Sequence, residues 1–344
     1  MNANAALFAM ATERVAACVL GADGYLGQFI ALDLAHSGAF DVVHACGRSG
    51  DEAIDVDAPS TLRRTSACDF ASIASCENIV RELFDYGATP RVVVNCAAMS
   101  APGACERNPE AAKLANAPRF LWNAVKAEAL TRSVQVPMWI QLSTDHVYDG
   151  RSPLSDESTK TAPVNAYGAS KVFCEDALVQ DLGDRAVVLR SSIITGPKPP
   201  LKDVRRTLFL DFIASSFKKD EQTSFYEDEF RSPVCVHDIC HIVRSLATRA
   251  GPSPTLRVYN MGGPDRVSRV DMANGVAEYL ASGDAELESV YKSKIARASC
   301  TEARALRGVD APPDISIDSS ALIRDICRDW SPRSFSDQIV AAFE

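Results

Sequence analysis

Tyr167 and Lys171 stand four residues apart in Tyr167-Gly168-Ala169-Ser170-Lys171. On a helix that spacing places a phenol and an ammonium on one face, where a proton donor and its activator share a site. A phenol of ordinary pKa, about 10, exchanges protons poorly near neutrality unless a cation stabilises its anion. A shift of three units takes about 4 kcal/mol, within reach of a desolvated lysine acting with the positive charge of a nicotinamide. Such a pair alone also fits an ordinary amphipathic helix. Upstream, Ser143-Thr144-Asp145 follows the apolar run Met138 to Leu142, and a hydroxyl at the carboxyl end of a strand can polarise a carbonyl. The set points to carbonyl reduction or its reverse.

Hydride chemistry needs a dinucleotide, and Gly21-Ala22-Asp23-Gly24-Tyr25-Leu26-Gly27 is placed to hold one. It directly follows a strand-like run and opens a helical one. There the backbone must turn tightly and approach a pyrophosphate resting on the helix N-terminus. The spacing is GxxGxxG, one residue longer in its first gap than the commoner GxGxxG. After the second strand the chain reads Cys46-Gly47-Arg48-Ser49, without the acid that often binds an NAD ribose. Arg48 suits a 2′-phosphate, so NADP is expected ahead of NAD, with an ordinary surface arginine as the alternative. Asp69 and Phe70 are placed to flank the adenine, although Asp69 is equally suited to cap the following helix.

These groups need elements to position them. Val15 to Leu20, Asp41 to Cys46, Thr65 to Cys68, Arg91 to Cys96, Met138 to Leu142 and Arg185 to Arg190 read as strands. Between them Tyr25 to Ser37, Ala71 to Asp85, Pro109 to Ala129 and Ala166 to Asp181 read as helices. The alternation predicts an α/β fold, a Rossmann-type doubly wound parallel sheet. After Arg190 the rhythm changes through Pro197, Pro199 and Pro200, with a helix over 206–217 and a strand over 223–226. It returns in Val234 to Val236, a helix over 237–248 and a strand over 257–260. Ser268 and Asp271 form a capping-box pattern opening a helix over 269–280. The expected organisation is an NADP-binding domain over 12–190, completed by about 234–260. A smaller α/β substrate lobe takes 191–233 and 261–330, with a C-terminal helix in 331–344.

The chain has 344 residues, 47% hydrophobic and 24% charged, with a net charge of −9. That balance describes a folded globular protein. The acidity, with only Arg205-Arg206 and Lys218-Lys219 as basic pairs, argues against a nucleic-acid partner. No apolar run approaches the roughly 18 residues of a membrane helix, and Met1 to Met10 lacks the basic flank of a signal peptide. A cytoplasmic protein without a membrane partner is therefore expected. Eleven cysteines without a CxxC pair read as reduced thiols. Cys235, His237, Cys240 and His241 are spaced wrongly for a zinc knuckle, and no metal is expected.

Beyond these local patterns the chain resembles an extended short-chain dehydrogenase/reductase. The resemblance is to the branch containing dTDP-4-dehydrorhamnose reductase and the regulatory beta subunit of methionine adenosyltransferase. It covers nearly the whole length. Its carriers are Gly21 to Gly27, Val94 to Ala98, Asn116, Ser143 to Gly150, Pro163 to Lys171, Leu189 to Ser192, Phe230 to Pro233 and Pro313 to Asp318. The resemblance implies that Tyr167 is the general acid and that Lys171 binds the nicotinamide ribose and lowers the tyrosine pKa. It further implies that Thr144 bonds the substrate carbonyl with Ser143 beside it, and that Asn116 supports a proton relay. Gly21, Asp23, Gly24, Tyr25, Leu26, Gly27, Arg48, Asp69, Phe70, Cys96, Ala97 and Ala98 would line the cofactor with Tyr167 and Lys171. Met99, Asp145 and Arg231 would meet the substrate. Arg231 suits a diphosphate, or else pairs with the acidic Glu227-Asp228-Glu229 run.

His146 departs from the branch, which usually carries Tyr in its STDYVF segment, and Phe230-Arg231-Ser232-Pro233 departs from the Gly-x-Pro-Thr of the bacterial rhamnose reductases. The expected function is NADP-dependent reduction of a keto group on a nucleotide-linked sugar. The alternative is a non-catalytic NADP-binding regulatory subunit that holds a methionine adenosyltransferase catalytic subunit. A homodimer is left open. A dehydratase would add an acidic pair beside the threonine, where this chain has Asp145 followed by His146.

Overall fold

Short β-branched runs separated by helical patterns fold here into seven parallel strands with helices on both faces. The computed structural model describes residues 13–48, 58–249, 254–255, 257–302 and 308–344. Met1 to Met10, Ser49 and the expected domain start at 12 lie outside them. In chain order the elements of the first half are β1 (Val15–Leu20), α1 (Tyr25–His36), β2 (Val42–Cys46), β3 (Leu62–Arg64), α2 (Ile73–Asp85) and β4 (Thr89–Asn95). Next come α3 (Pro102–Arg107), α4 (Pro109–Asn116), α5 (Arg119–Thr131), β5 (Met138–Thr144), α6 (Ala166–Leu182) and β6 (Ala186–Ser191). The second half adds β7 (Ile194–Thr195), α7 (Phe209–Ser216), β8 (Thr223–Tyr226), β9 (Phe230–Arg231), β10 (Val234–Cys235) and α8 (Val236–Ala247). It closes with β11 (Val258–Met261), β12 (Val267–Ser268), α9 (Arg269–Ala281), α10 (Ala285–Ser293), β13 (Ile295–Ala298), α11 (Ser320–Asp325) and α12 (Phe335–Phe343).

The large sheet has the order β11-β6-β5-β4-β1-β2-β3. The strand order reverses between β1 and β4, and ligands of open parallel sheets bind at the carboxyl ends of such a switch point. Strand alternation divides the core in two. Ala17 and Val19 of β1 join Val92, Val94, Ile140 and Leu142 under α1 and α8. Cys18 and Leu20 join Val93, Trp139 and Val188 under α2, α5 and α6. Each fully buried aliphatic side chain contributes about 1.5–3 kcal/mol. A third cluster, with Ile213, Phe225, Met272, Val276, Phe335 and Ile339, joins α7, β8, α9 and α12 beyond the sheet. The C-terminal helix is part of that cluster.

Three sequence expectations need correction. The third strand is Leu62–Arg64, not Thr65 to Cys68. As the sheet's edge strand it tolerates charge, and Arg63 turns outward to lie 3.4 Å over the Tyr86 ring, so two arginines obscured its pattern. The helix expected over Pro109 to Ala129 is two, because Ala117-Pro118 interrupts it and proline supplies no N–H to continue the ladder. The helix expected from Arg206 begins at Phe209. The Ser268–Asp271 capping box is present as read.

Candidate active site

Strand β5 ends at Thr144 and a single 3-10 turn over Asp145–Val147 follows, so three polar side chains emerge at one sheet edge. Facing them, α6 starts at Ala166 with Asn165 as its N-cap, accepting a hydrogen bond from Gly168 N at 2.9 Å. The two segments touch so closely that a Cβ on Gly168 would stand 2.2 Å from the His146 carbonyl oxygen. Tyr167 is thereby fixed beside the strand end.

Burial pushes the Tyr167 phenol up to about 12, while its contact with the Thr144 hydroxyl pulls the other way. Lys171 is not among the groups that move it. Lys171 is 3% exposed and its Nζ donates to the Leu142 carbonyl at 2.7 Å, and desolvation holds its own pKa below the usual lysine range. A protonated phenol beside a threonine hydroxyl can donate a proton to a carbonyl oxygen. Thr144 Oγ1 donates to Asp145 Oδ1 at 3.1 Å, and Ser192 Oγ donates to Asp145 Oδ2 at 2.8 Å. The buried Asp145 carboxyl sits above its ordinary range because of desolvation, which the charge of Arg231 partly offsets.

Behind this edge lies a buried polar layer. Ser143 Oγ donates to Glu175, and Glu175 Oε2 takes a 2.6 Å ion pair from Arg190. Ser143 is therefore committed to Glu175, two turns further along α6 than Tyr167. Asn116, fully buried, donates to Ser170 Oγ at 2.7 Å and to Met99 O at 3.2 Å, and accepts from Met99 N at 2.7 Å. It fixes the Met99 loop against α6, and its bonds run to these groups, not to Lys171.

The glycine loop is built for a phosphate. Gly21 has φ +78°, and a Cβ there would lie 2.6 Å from Ala97 N, so the Cys96-Ala97 backbone closes one side of the turn. Gly24 is the N-cap of α1 and brings no side-chain hydrogen bond, leaving the first N–H groups of the helix for a ligand. Tyr25 OH donates to Pro197 O at 3.0 Å, tying the loop to the second lobe. Asp23 lies against Gly47, pairs with Arg64, and meets Lys202 Nζ at 3.0 Å. Arg48 is exposed at the end of β2. Asp69 Oδ1 accepts from Ala71 N at 3.0 Å, and the cap of α2 is Ser72, so the helix-cap alternative for Asp69 is replaced by a local turn. Phe70 packs against the α2, α5 and α6 core. These features fit a dinucleotide.

Arg231 takes the second of its two expected environments. It is 1% exposed, pairs with Glu229 at 3.2 Å and donates to the Phe230, Pro312 and Pro313 carbonyls. The cations facing the Tyr167 edge from the second lobe are Arg206, which is exposed, and Arg269, which lies 4.6 Å over Phe209 and bonds Glu229. Sequence reasoning missed Arg206, Arg269, Arg64, Lys202 and Glu175. Glu175 was within reach, four residues beyond Lys171 on the same helix face. Arg64 was hidden by the misplaced third strand, and Lys202 arrives from a loop far along the chain without a local signal. Among the described residues no cluster of three or more His, Cys, Asp or Glu is arranged to hold a metal, and no helix is long and apolar enough to cross a membrane.

Comparison with known proteins gives a family and a fold. A family model described as RmlD substrate binding domain matches residues 16–305. The chain is 28% identical over 208 residues to methionine adenosyltransferase 2 subunit beta of Pongo abelii, covering 60% of this chain and 59% of that protein. It thus spans about three fifths of the length of that curated relative. It is 29% identical over 275 residues to a probable low-salt glycan biosynthesis reductase, Agl14, of Haloferax volcanii, covering 79% and 82%. In fold it resembles dTDP-4-dehydrorhamnose reductase of Bacillus anthracis in complex with NADP, with a TM-score of 0.68, 19% identity and coverage of 96% and 99%. It also resembles UDP-glucose 4-epimerase of Bifidobacterium longum in complex with NAD+ and UDP, with a TM-score of 0.71, 17% identity and coverage of 95% and 96%.

Proposed function

The chain belongs to the RmlD substrate binding domain family, and from that premise we propose that it is an NADP-dependent reductase of a keto group on a nucleotide-linked sugar. The observation that carries the reading is the Tyr167 phenol in contact with the Thr144 hydroxyl, with Lys171 one turn along the same helix. The likeness to the Haloferax volcanii reductase supports it.

The glycine loop and the uncapped start of α1 would hold the pyrophosphate. Arg48, Arg64 and Lys202 would meet a 2′-phosphate, with Asp23 keeping Arg64 and Lys202 at the end of β2. NAD remains the alternative cofactor, since Asp23 also suits a ribose hydroxyl. The reduced nicotinamide supplies hydride. Lys171, anchored on the Leu142 carbonyl, orients the nicotinamide ribose, Thr144 orients the substrate carbonyl, and Tyr167 gives its proton to the carbonyl oxygen. Asn116 holds the Met99 loop, which forms the near wall of the substrate space. Asp145 acts beneath it as a buried acceptor, and Arg206 and Arg269 are the cations for the nucleotide diphosphate.

A second reading, a regulatory subunit that binds NADP and holds a methionine adenosyltransferase catalytic subunit, is favoured by the 28% identity to the beta subunit. One preparation separates the two. NADPH oxidation is measured with a set of dTDP-4-keto-6-deoxy sugars, and NADPH binding by calorimetry alongside. Turnover supports the reductase. Tight NADPH binding without turnover on any keto sugar overturns it in favour of the regulatory subunit, whose association with purified methionine adenosyltransferase would then be measured.

A further inference from the structure

The residue that departs from the family pattern, His146, stands beside the proposed proton donor. We infer that His146 is a neutral hydrogen-bond donor to the substrate, its Nε2–H selecting for a sugar oxygen next to the carbonyl that Tyr167 protonates. The inference rests on the reductase reading and adds a specificity-determining residue to it.

The tautomer follows from Asn165. The Asn165 side-chain oxygen accepts from Gly168 N at 2.9 Å, and its Nδ2 donates to the Asp310 carbonyl at 2.9 Å. These two bonds fix which end of the amide is nitrogen, and that nitrogen lies 3.3 Å from His146 Nδ1. An amide nitrogen only donates, so Nδ1 must accept and carry no proton. In a neutral imidazole the proton then sits on Nε2. Among the described residues Nε2 has no hydrogen-bond acceptor.

The position of the ring makes that free donor useful. The His146 ring meets the Tyr167 ring edge-on, with centroids 5.5 Å apart and planes at 68°. The close approach of Gly168 to the His146 carbonyl leaves the backbone no room to swing away. From the second lobe the ring feels the charges of Arg231, Glu229, Arg269 and Arg206, of which Arg206 and Arg269 are the cations proposed above for the nucleotide diphosphate. Burial first, and Arg231 after it, push the imidazole down to about 3, so the ring stays neutral through the working pH range. Protonating Nδ1 would also set an N–H against the Asn165 amide N–H. A tyrosine here, as in related chains, places its hydroxyl farther from the backbone, so replacing it by histidine relocates the donor.

The test uses NADPH-loaded protein and dTDP-4-keto-6-deoxyglucose. His146→Phe is expected to raise KM on the order of tenfold, the worth of one neutral hydrogen bond, with kcat changed by less than about threefold. His146→Gln places an amide N–H near the Nε2 position and is expected to restore KM to within about threefold of the wild type. Nitrogen-15 NMR of the imidazole should show Nε2 protonated and Nδ1 bare at pH 6, independently of activity. A wild-type KM in His146→Phe, or a proton on Nδ1, overturns the inference. The reductase reading fails separately, by absence of turnover in the wild type. His146 is then judged by calorimetry with dTDP-rhamnose: tenfold weaker binding to His146→Phe supports it, and equal binding or none to either protein overturns it.

Discussion

A side chain that completes a hydride reduction by donating a proton to the carbonyl oxygen must reach the substrate still protonated, and desolvation favours that state of Tyr167. Its folded pKa of about 12 lies above the ordinary phenol value, so the proton is lost only on the alkaline side. The expected kcat/KM for reduction is therefore flat from about pH 6 to about pH 10 and falls only as the pH approaches about 12. A pH–rate profile with an inflection near pH 7 would contradict this assignment. At the other end of the proposed cofactor site, Arg64 is held by Asp23 next to Gly47. Arg64→Ala is expected to weaken NADPH binding roughly tenfold or more, while NADH binding holds or improves as Asp23 is freed toward a ribose. Calorimetry with both cofactors decides it, and equal losses would remove Arg64 from phosphate recognition. The residues of the candidate site were legible wherever a local pattern tied them together, as in Gly21 to Gly27 and Tyr167 to Lys171. Arg64 and Lys202 were not, because a cation recruited from an edge strand or a distant loop leaves no periodic trace.

At the scale of elements, the apolar strands of the sheet were readable because each is buried on both faces and so carries continuous β-branched runs. The edge strand β3 escaped because Leu62 alone points inward while Arg63 stacks on Tyr86. Strand β2 carries a polar exception, His44, which is fully buried with no hydrogen-bond partner on either ring nitrogen and sits edge-on to Tyr86 at 5.8 Å. Burial, with Arg63 adding to it, pushes this imidazole down to about 4. The ring is neutral in the fold and protonates in the unfolded chain below about pH 6.5. Stability present above that pH is lost as pH falls toward 4, by about 3 kcal/mol at most. His146 acts with the same sign over a window reaching about 3. His44→Phe is expected to lower the midpoint of acid unfolding, measured by circular dichroism. An unchanged midpoint would show that His44 does not set acid stability.

For the whole molecule, the second lobe has its own hydrophobic cluster, assembled from α7, β8, α9 and α12, which lie far apart in sequence. The sequence showed where the strand–helix rhythm broke, after Arg190, but not that the last helix returns to close this lobe. Its anchor is Gln338, fully buried, which accepts from Thr195 Oγ1 at 2.7 Å and donates to Pro233 O at 2.8 Å and Arg333 O at 2.9 Å. A single glutamine on an amphipathic helix gives no sign that it will join three segments. Gln338→Leu leaves those partners unsatisfied and is expected to cost about 2–4 kcal/mol in urea unfolding, and a loss below about 0.5 kcal/mol would show that α12 is not held through this residue. The central claim, that Tyr167 delivers the proton in a hydride reduction, is tested most directly with deuterium-labelled NADPH and dTDP-4-keto-6-deoxyglucose. Deuterium is expected at the former keto carbon with wild-type protein, and at least a thousandfold loss of that transfer in Tyr167→Phe with NADPH binding intact. Transfer at an undiminished rate in Tyr167→Phe would contradict it.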